Sequence, residues 1–472
     1  MLPIIPSDKV ASVLTLPPEV AGVRDVSREQ SRAINREVVA YGIPSMGGFM
    51  VASFNEMVSL FWLAKVGTEP VAAVTVLMTI YWTMMTFNII TGVGSNAVIA
   101  RRFGEGAMEQ SGIAIRSAFM MKIIMGTLIG FATWLLMPVI LPLMAVEPAV
   151  EQLAYDYGHW MFPFAGIVGS SYSVYSAFRC IGMPRMAWWM QLLGAGTNMI
   201  LDPLLIFGIG PFPELGIVGA AIGACTSYLL VTMIGMYVLA TDKSPIRVRW
   251  FARPWPSRDE FMMIWNIGWP VGINILSFSL AMTFGVRLVT SYGTDVVAIF
   301  GAAQKVLHFG VMTMVGFTLG TSALVAQFLG AKDLVKSWIA GVHSIRVAGY
   351  VMLGYGALVF IFAEPIVAAF FGIESGGELG ASLLRIMAIS IPFAGIHIGA
   401  ETVFEGAGHN RPMMLLSIAH AWLLMVPFMY TFGILLDWGP VGMIWGATIA
   451  HSLGGLIAVW LFYKGSWLRK VV

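Results

Sequence analysis

Twelve stretches of this chain are each long and apolar enough to cross a bilayer as a helix. They run over residues 38–63, 71–99, 117–142, 155–178, 186–208, 217–240, 261–290, 296–328, 342–370, 382–404, 413–434 and 440–463. A crossing needs roughly 20 mostly apolar residues. Charged residues make up 11% of the chain, against about 25% in soluble domains, too few to cover a water-facing surface. The expected fold is an all-α integral membrane protein with twelve transmembrane helices. Gly and Pro interrupt several spans, which membrane helices tolerate better than soluble ones.

Basic residues divide by side. With the N-terminus taken as cytoplasmic, Lys9, Arg24, Arg28, Arg32 and Arg36 fall in the tail. Arg101, Arg102, Arg179, Arg185, Lys332, Lys336 and Arg411 fall in cytoplasmic loops, and Lys243, Arg247, Arg249, Arg253 and Arg258 in the mid-chain stretch 242–260. Lys464, Arg469 and Lys470 close the chain on the same side. Opposite them Lys65 stands alone among acids: Glu69, Glu147, Glu151, Glu214, Asp295, Glu374, Glu378 and Asp437. Such asymmetry predicts a multi-pass protein of the inner (plasma) membrane with both termini cytoplasmic. Residues 1–36 lack the apolar core and cleavage site of a signal peptide, and read as a retained tail. Cys180 and Cys225 form neither a CxxC pair nor a disulfide framework.

The chain also repeats itself. Pro44 and Pro270 are 226 residues apart (270 − 44), and the same offset joins Gly67 to Gly293, Gly94 to Gly320, Ala97 to Ala323, Gly104 to Gly330, Gly182 to Gly408, Arg185 to Arg411 and Gly216 to Gly442. Chance in a Gly- and Ala-rich chain gives scattered matches, not one register held from the first span to the sixth. An even number of spans per copy makes the two copies parallel. The expected domains are a tail (1–37), an N-terminal six-helix lobe (38–241), a basic linker (242–260), a C-terminal six-helix lobe (261–465) and a short tail (466–472), with the lobes around a central cleft. Parallel repeats of this kind suit alternating access.

Several stretches resemble the multidrug and toxic compound extrusion (MATE) family, in its bacterial and archaeal branches. They are PSMGGFMVASFNEMVSLFWLAKVGTEPVAA (44–73), GVGSNAVIARRFGEG (92–106) with TLGTSALVAQFLGAK (318–332), FRCIGMPRMAWWMQLLGAGTNMILDPLLIFGIGPFPELGIVGAA (178–221) and FEGAGHNRPMM (404–414). The resemblance covers residues 38–465. It implies export of organic cations or amphiphilic drugs, driven by inward H+ or Na+. The chain departs from the family pattern at two positions of its cation site. Ser59 stands where the family has a first-helix Asp, with Glu56 one turn earlier, and Ala224 stands where it often has Thr, with Thr226 two residues on.

An ionisable side chain inside a span costs at least about 2.5–3.5 kcal/mol on insertion scales. Glu56 is mid-span in the first helix, and Asp202 lies one turn after Asn198 in the fifth. Glu56, Asn198 and Asp202 are therefore expected to form one coupling site in the first lobe, with Ser59 and Thr226 as further members. Carboxylates plus an amide oxygen suit a proton or Na+ equally. Pro203 also leaves the Met199 carbonyl without its helical donor. In the second lobe His397, Glu401 and Glu405 make a stripe at four-residue spacing; Glu405 reads as solvated at the cytoplasmic end, while the deeper His397 and Glu401 are open to structural pairing or proton relay. Arg287 and Lys305 are cations inside spans, expected to snorkel or to pair with an acid, and Lys122 is expected to snorkel. Arg287 also leaves an anionic or zwitterionic substrate open. His308, His420 and His451 read as structural. Among many Met and aromatic residues, Phe54, Tyr172 and Tyr175 are the cavity candidates, since such surfaces repack around varied apolar shapes. With Arg287, His397 and Glu401 they complete the expected substrate cavity.

No GxSxG, HExxH or P-loop signature is present, which argues against an intramembrane enzyme, a zinc site and nucleotide-powered transport. The Asp-Arg loop motif of the major facilitator group is also absent; that loop reads RRFGEGAMEQ. The expectation is a monomeric secondary antiporter for small molecules in the bilayer, without nucleic acid or cofactor beyond H+ or Na+. The alternative is a flippase-like exporter of a lipid-linked, anionic or zwitterionic compound.

Overall fold

The computed structural model describes residues 17–144, 147–253, 255–371 and 377–469. Among them there is no strand. A 3-10 turn, Pro18–Asp25, precedes the first long helix. The helices are α1 (Arg28–Val66), α2 (Thr68–Gly104), α3 (Met108–Leu143), α4 (Pro148–Met161), α5 (Ala165–Cys180), α6 (Pro184–Ile206), α7 (Gly216–Ala240), α8 (Arg258–Thr290), α9 (Thr294–Gly330), α10 (Leu334–Ile361), α11 (Ala363–Phe371), α12 (Gly377–Gly406), α13 (Arg411–Ala419), α14 (Val426–Tyr430) and α15 (Gly439–Tyr463). Two π-helical segments, His420–Met425 and Thr431–Leu435, flank α14 and make one continuous rod of residues 411–435. Among the described residues nine helices are long and apolar enough to cross a membrane, ten if the bent α2 counts as one. Of the twelve expected spans, two fall outside that set: α4 with α5, and α6.

Some boundaries differ from expectation, for local reasons. The fourth span breaks after Met161 and restarts at Ala165, around Pro163, which cannot donate to the helix ladder. The ninth begins at 334 rather than 342, because the Asp333 side chain accepts a hydrogen bond from the Lys336 amide (3.0 Å) and caps the helix. It then ends at Ile361, with α11 taking up the rest. Residues 1–16 and 470–472, including Lys9 and Lys470, lie outside the described residues, as does Glu374.

The chain forms two compact units, Gly47–Trp269 and Met1–Met46 with Pro270–Val472. The expected lobes began at 38 and 261; in the structure each division falls further on, inside a long helix beside a proline. The first part of α8 therefore belongs to the N-terminal unit, and the first part of α1 to the C-terminal unit. Within the N-terminal unit a bidentate pair joins Arg102 at the end of α2 to Glu260 (2.8 and 3.0 Å). Arg116 of α3 donates to the carbonyls of Arg249 and Ala252, holding the linker.

The repeat reappears in the crossings that place these helix halves. In the N-terminal unit Gly94 of α2 lies against the Ile264 carbonyl, and Gly268 of α8 against the Ile90 carbonyl. In the C-terminal unit Gly320 of α9 lies against the Tyr41 carbonyl, and Gly42 of α1 against the Phe317 ring. Both glycine pairs, 94 with 320 and 42 with 268, are related by the 226-residue offset. A Cβ at any of the four would overlap a neighbour, so each crossing depends on having none.

The C-terminal unit also gathers both described chain ends. Val20 is fully buried there, and Trp467, also fully buried, stacks on Trp338 (6.0 Å between centroids) and Phe462 (5.3 Å). An exposed Arg469–Glu19 pair (2.7 Å) closes the clasp, but the buried ring is the anchor, since exposed pairs contribute little. Gly94→Val and Gly320→Val should each cost about 1–3 kcal/mol or more, read as a lower melting temperature of the purified protein. Gly196→Ala, facing open space, should stay within about 0.5 kcal/mol of the parent.

Candidate ion-coupling site

In the N-terminal unit α1 and α6 meet through four polar side chains. Asp202 is fully buried and Asn198 nearly so. One turn apart on α6, they bond to each other, Asn198 Nδ2 donating to Asp202 Oδ1 at 2.7 Å. From α1, Ser59 Oγ donates to Asp202 Oδ2 and lies 3.3 Å from Asn198 Oδ1. Asn55 Nδ2, one turn earlier, donates to the same Asn198 oxygen at 2.9 Å. On the far side α7 comes close at Gly223, where a Cβ would sit 3.0 Å from Asp202 Oδ1. No basic side chain pairs with Asp202 among the described residues. The Asn55 Oδ1 atom is buried with no hydrogen-bond partner.

The site is thus a buried carboxylate with neutral partners and an orphaned amide oxygen beside it. Its donors satisfy both carboxylate oxygens but bring no balancing charge. A buried unpaired charge is costly, so the arrangement favours uptake of a cation with oxygen ligands, or of a proton. The residues fit either one.

The structure brings Asn198, Asp202 and Ser59 together and leaves Glu56 out. Glu56 is exposed and makes no hydrogen bond to the pair among the described residues. Helix geometry gives the reason. A four-residue step turns roughly 40° past a full turn and a three-residue step falls roughly 60° short, so Asn55, not Glu56, stands over Ser59. Asn55 is not among the expected site residues, because the four-residue spacing to Ser59 places it on the same face of α1 but does not show that this face meets α6. Thr226 is exposed and bonds to none of these side chains, while its neighbour Ser227 bonds back to the Gly223 carbonyl (2.8 Å).

The cavity candidates scatter. Phe54 is exposed, and Tyr172 meets the buried Tyr175 edge-on at 6.0 Å. Arg287 and Lys305 are exposed, and no acid pairs with them among the described residues. Lys122 does not snorkel: it is 4% exposed and lines a small cavity with Asn88, Thr91 and Met125 between α2, α3 and α5. In the C-terminal unit Glu401 accepts from Asn274 of α8 at 2.6 Å, and His397, half-buried, faces His420.

The sequence profile of the MatE family matches residues 44–204 and again 270–431. The two matches start at Pro44 and Pro270, the positions where the internal repeat begins. The chain belongs to the MatE family. It is therefore a multi-pass membrane transporter with the twelve-helix, two-lobe fold. It is 25% identical over 441 residues to an FAD transporter of Shewanella oneidensis, covering 91% of this chain and 95% of that one. It is 22% identical to the multidrug export protein MepA of Staphylococcus aureus, covering 91% and 93%. The solved Vibrio cholerae MATE transporter VcmN superposes with a TM-score of 0.85 at 21% identity, over 93% of this chain and 98% of that one. A MOP superfamily transporter from Pyrococcus furiosus gives 0.82 at 24% identity, over 93% and 97%.

Asn198→Ala strands Asp202 Oδ1 and Asn55 Nδ2 together, and should cost about 1–3 kcal/mol or more. Asn55→Ala removes one bond and an unsatisfied oxygen, and should cost less. Thermal melts of the two purified variants in detergent give the order.

Proposed function

We propose that the chain is a secondary active antiporter that exports organic cations or amphiphilic drugs in exchange for H+ or Na+ by alternating access. The observation that carries this reading is Asp202, fully buried with only neutral hydrogen-bond partners. An acid kept inside a span without a cationic partner is a costly feature that structure alone does not need. Its balancing charge comes from the ion it carries.

The chemistry of each ion follows from the bonds. With Asp202 ionised, Ser59 donates to Oδ2. Protonation at Oδ2 turns that oxygen into a donor, so Ser59 must accept or swing away, and the link between α1 and α6 changes. Na+ would instead draw on the oxygens of Asp202 and Ser59 and on the orphaned Asn55 Oδ1, since hard cations take oxygen ligands. Either ion alters the same contact. The Lys/Arg asymmetry supports a plasma-membrane protein with both termini in the cytoplasm.

A second reading has its own support. The relative named as an FAD transporter handles a phosphate-bearing compound, and Arg287 is an exposed cation within a span. An exporter of anionic or zwitterionic compounds would use the same ion site with a different cargo.

Reconstitution in liposomes separates these. A pH gradient and a Na+ gradient are imposed in turn, and efflux of a fluorescent cation is followed with and without a competing anionic nucleotide. One gradient should drive efflux, and Asp202→Asn should lower it by more than roughly tenfold, the effect of about 1.4 kcal/mol. Efflux at the parent rate in Asp202→Asn would remove Asp202 from coupling. No movement of the fluorescent cation under either gradient, with gradient-driven movement of a labelled anionic nucleotide in its place, would favour the second cargo.

A further inference from the structure

Three imidazoles meet in the interior of the C-terminal unit. His420 Nε2 and His451 Nδ1 lie 3.2 Å apart, with ring centroids at 4.9 Å. The His397 ring stands 6.3 Å from His420. They come from α12, the first π-helical segment and α15, each well inside its rod. Polar rings at this depth call for an explanation.

Backbone and packing are adapted to the pair. The helix leaves α geometry at His420, where the π-helical segment His420–Met425 begins, and such segments are frequent at functional sites. Gly454 of α15 lies under the His420 ring, where a Cβ would come within 2.9 Å of Cδ2. A purely space-filling pair of rings needs neither device. Among the described residues no group of three or more His, Cys, Asp or Glu is arranged to hold a metal.

The 3.2 Å separation fixes the proton count. One nitrogen must carry hydrogen and the other a lone pair. One added proton makes one ring an imidazolium that still donates to its neutral partner. A second would set two N–H groups against each other. The two rings therefore titrate as one coupled unit. His451 and His397 are half-buried, while His420 is 8% exposed. His397, Glu401 and Glu405 follow at one-turn steps along α12, and Asn274 of α8 fixes Glu401 (2.6 Å). Elsewhere in the unit α9 carries Lys305 and His308, α10 carries His343 and Arg346, and α15 ends at Tyr463 and Lys464. Among the described residues no ion pair or hydrogen bond joins any of these groups to His397, His420 or His451.

We infer that the His420–His451 pair is a proton-binding site of the C-terminal unit, taking up one proton and exchanging it through His397, Glu401 and Glu405. This site is separate from Asp202 and does not depend on the coupling reading.

The test is ring 15N solid-state NMR of the full-length protein in nanodiscs, with labelled histidine, titrated from about pH 8 to about pH 5. The seven histidines are assigned with single His→Gln variants. One ring of the pair should become imidazolium while the other stays neutral throughout. In His451→Gln the midpoint of His420 should move by more than roughly one pH unit, a tenfold change in proton affinity. His420→Gln reads the same coupling from the other side if either variant fails to fold. The Asp202→Asn signal should match the parent. Two rings that both become charged, rings that titrate identically with and without the partner, or no imidazolium at either position would each overturn the inference. Loss of the signal in Asp202→Asn would overturn the separateness of the two sites.

Discussion

Lipid removes the force that holds soluble helices together, because a leucine gains nothing by leaving one hydrocarbon phase for another. Helices in this chain are held where backbones can touch. The crossings at Gly94 with Ile264 and at Gly320 with Tyr41 are the clearest case, since one glycine position does the same job in each copy of the repeat. They fix the first halves of α1 and α8 against α9 and α2 respectively. The later half of α1 belongs to the N-terminal unit, where it brings Asn55 and Ser59 to α6.

Polar chemistry does not follow the repeat. At the 226-residue offset Asn198 corresponds to Leu424 and Asp202 to Phe428, while His420 corresponds to Gly194, His451 to Cys225 and Glu401 to Tyr175. Each unit has its own polar cluster, on different helices of the common scaffold. Duplication supplied two copies of the packing, which tolerates little change, and left interior side chains free to diverge. This is why a single offset predicts helix crossings well and polar sites not at all.

Much of the fold is legible in the sequence for a physical reason. A span is a statement about length and polarity, and the repeat is a statement about backbone contacts. Both survive reading one residue at a time. The Asn198–Asp202 pair is legible too, because a one-turn spacing on a helix is fixed geometry. Asn55 was not, since its role depends on how α1 is rotated against α6. Pro163 marked a break that the hydropathy of residues 155–178 concealed. Asp333 marked a helix start that lies eight residues before the apolar run. The π-helical turns at His420 and Thr431 have no signature in residue type. Lys122 looked like a snorkelling side chain because sequence gives depth along a helix but not the direction it faces.

The two polar clusters have opposite electrostatic logic. Asp202 is charged when empty and neutral when protonated, so loading it suits a dry surrounding. The His420–His451 pair is neutral when empty and charged when loaded, so loading it suits a hydrated surrounding. A single proton entering either unit therefore changes its preference for hydration in opposite senses. Two sites built this way, one in each unit, would give protonation opposite effects on hydration in the two copies. A pair of carboxylate sites, neutral together and charged together, could not do so. The chemical difference between the copies, set on a packing scaffold that is nearly the same in both, is what makes such an opposed response available to a duplicated chain.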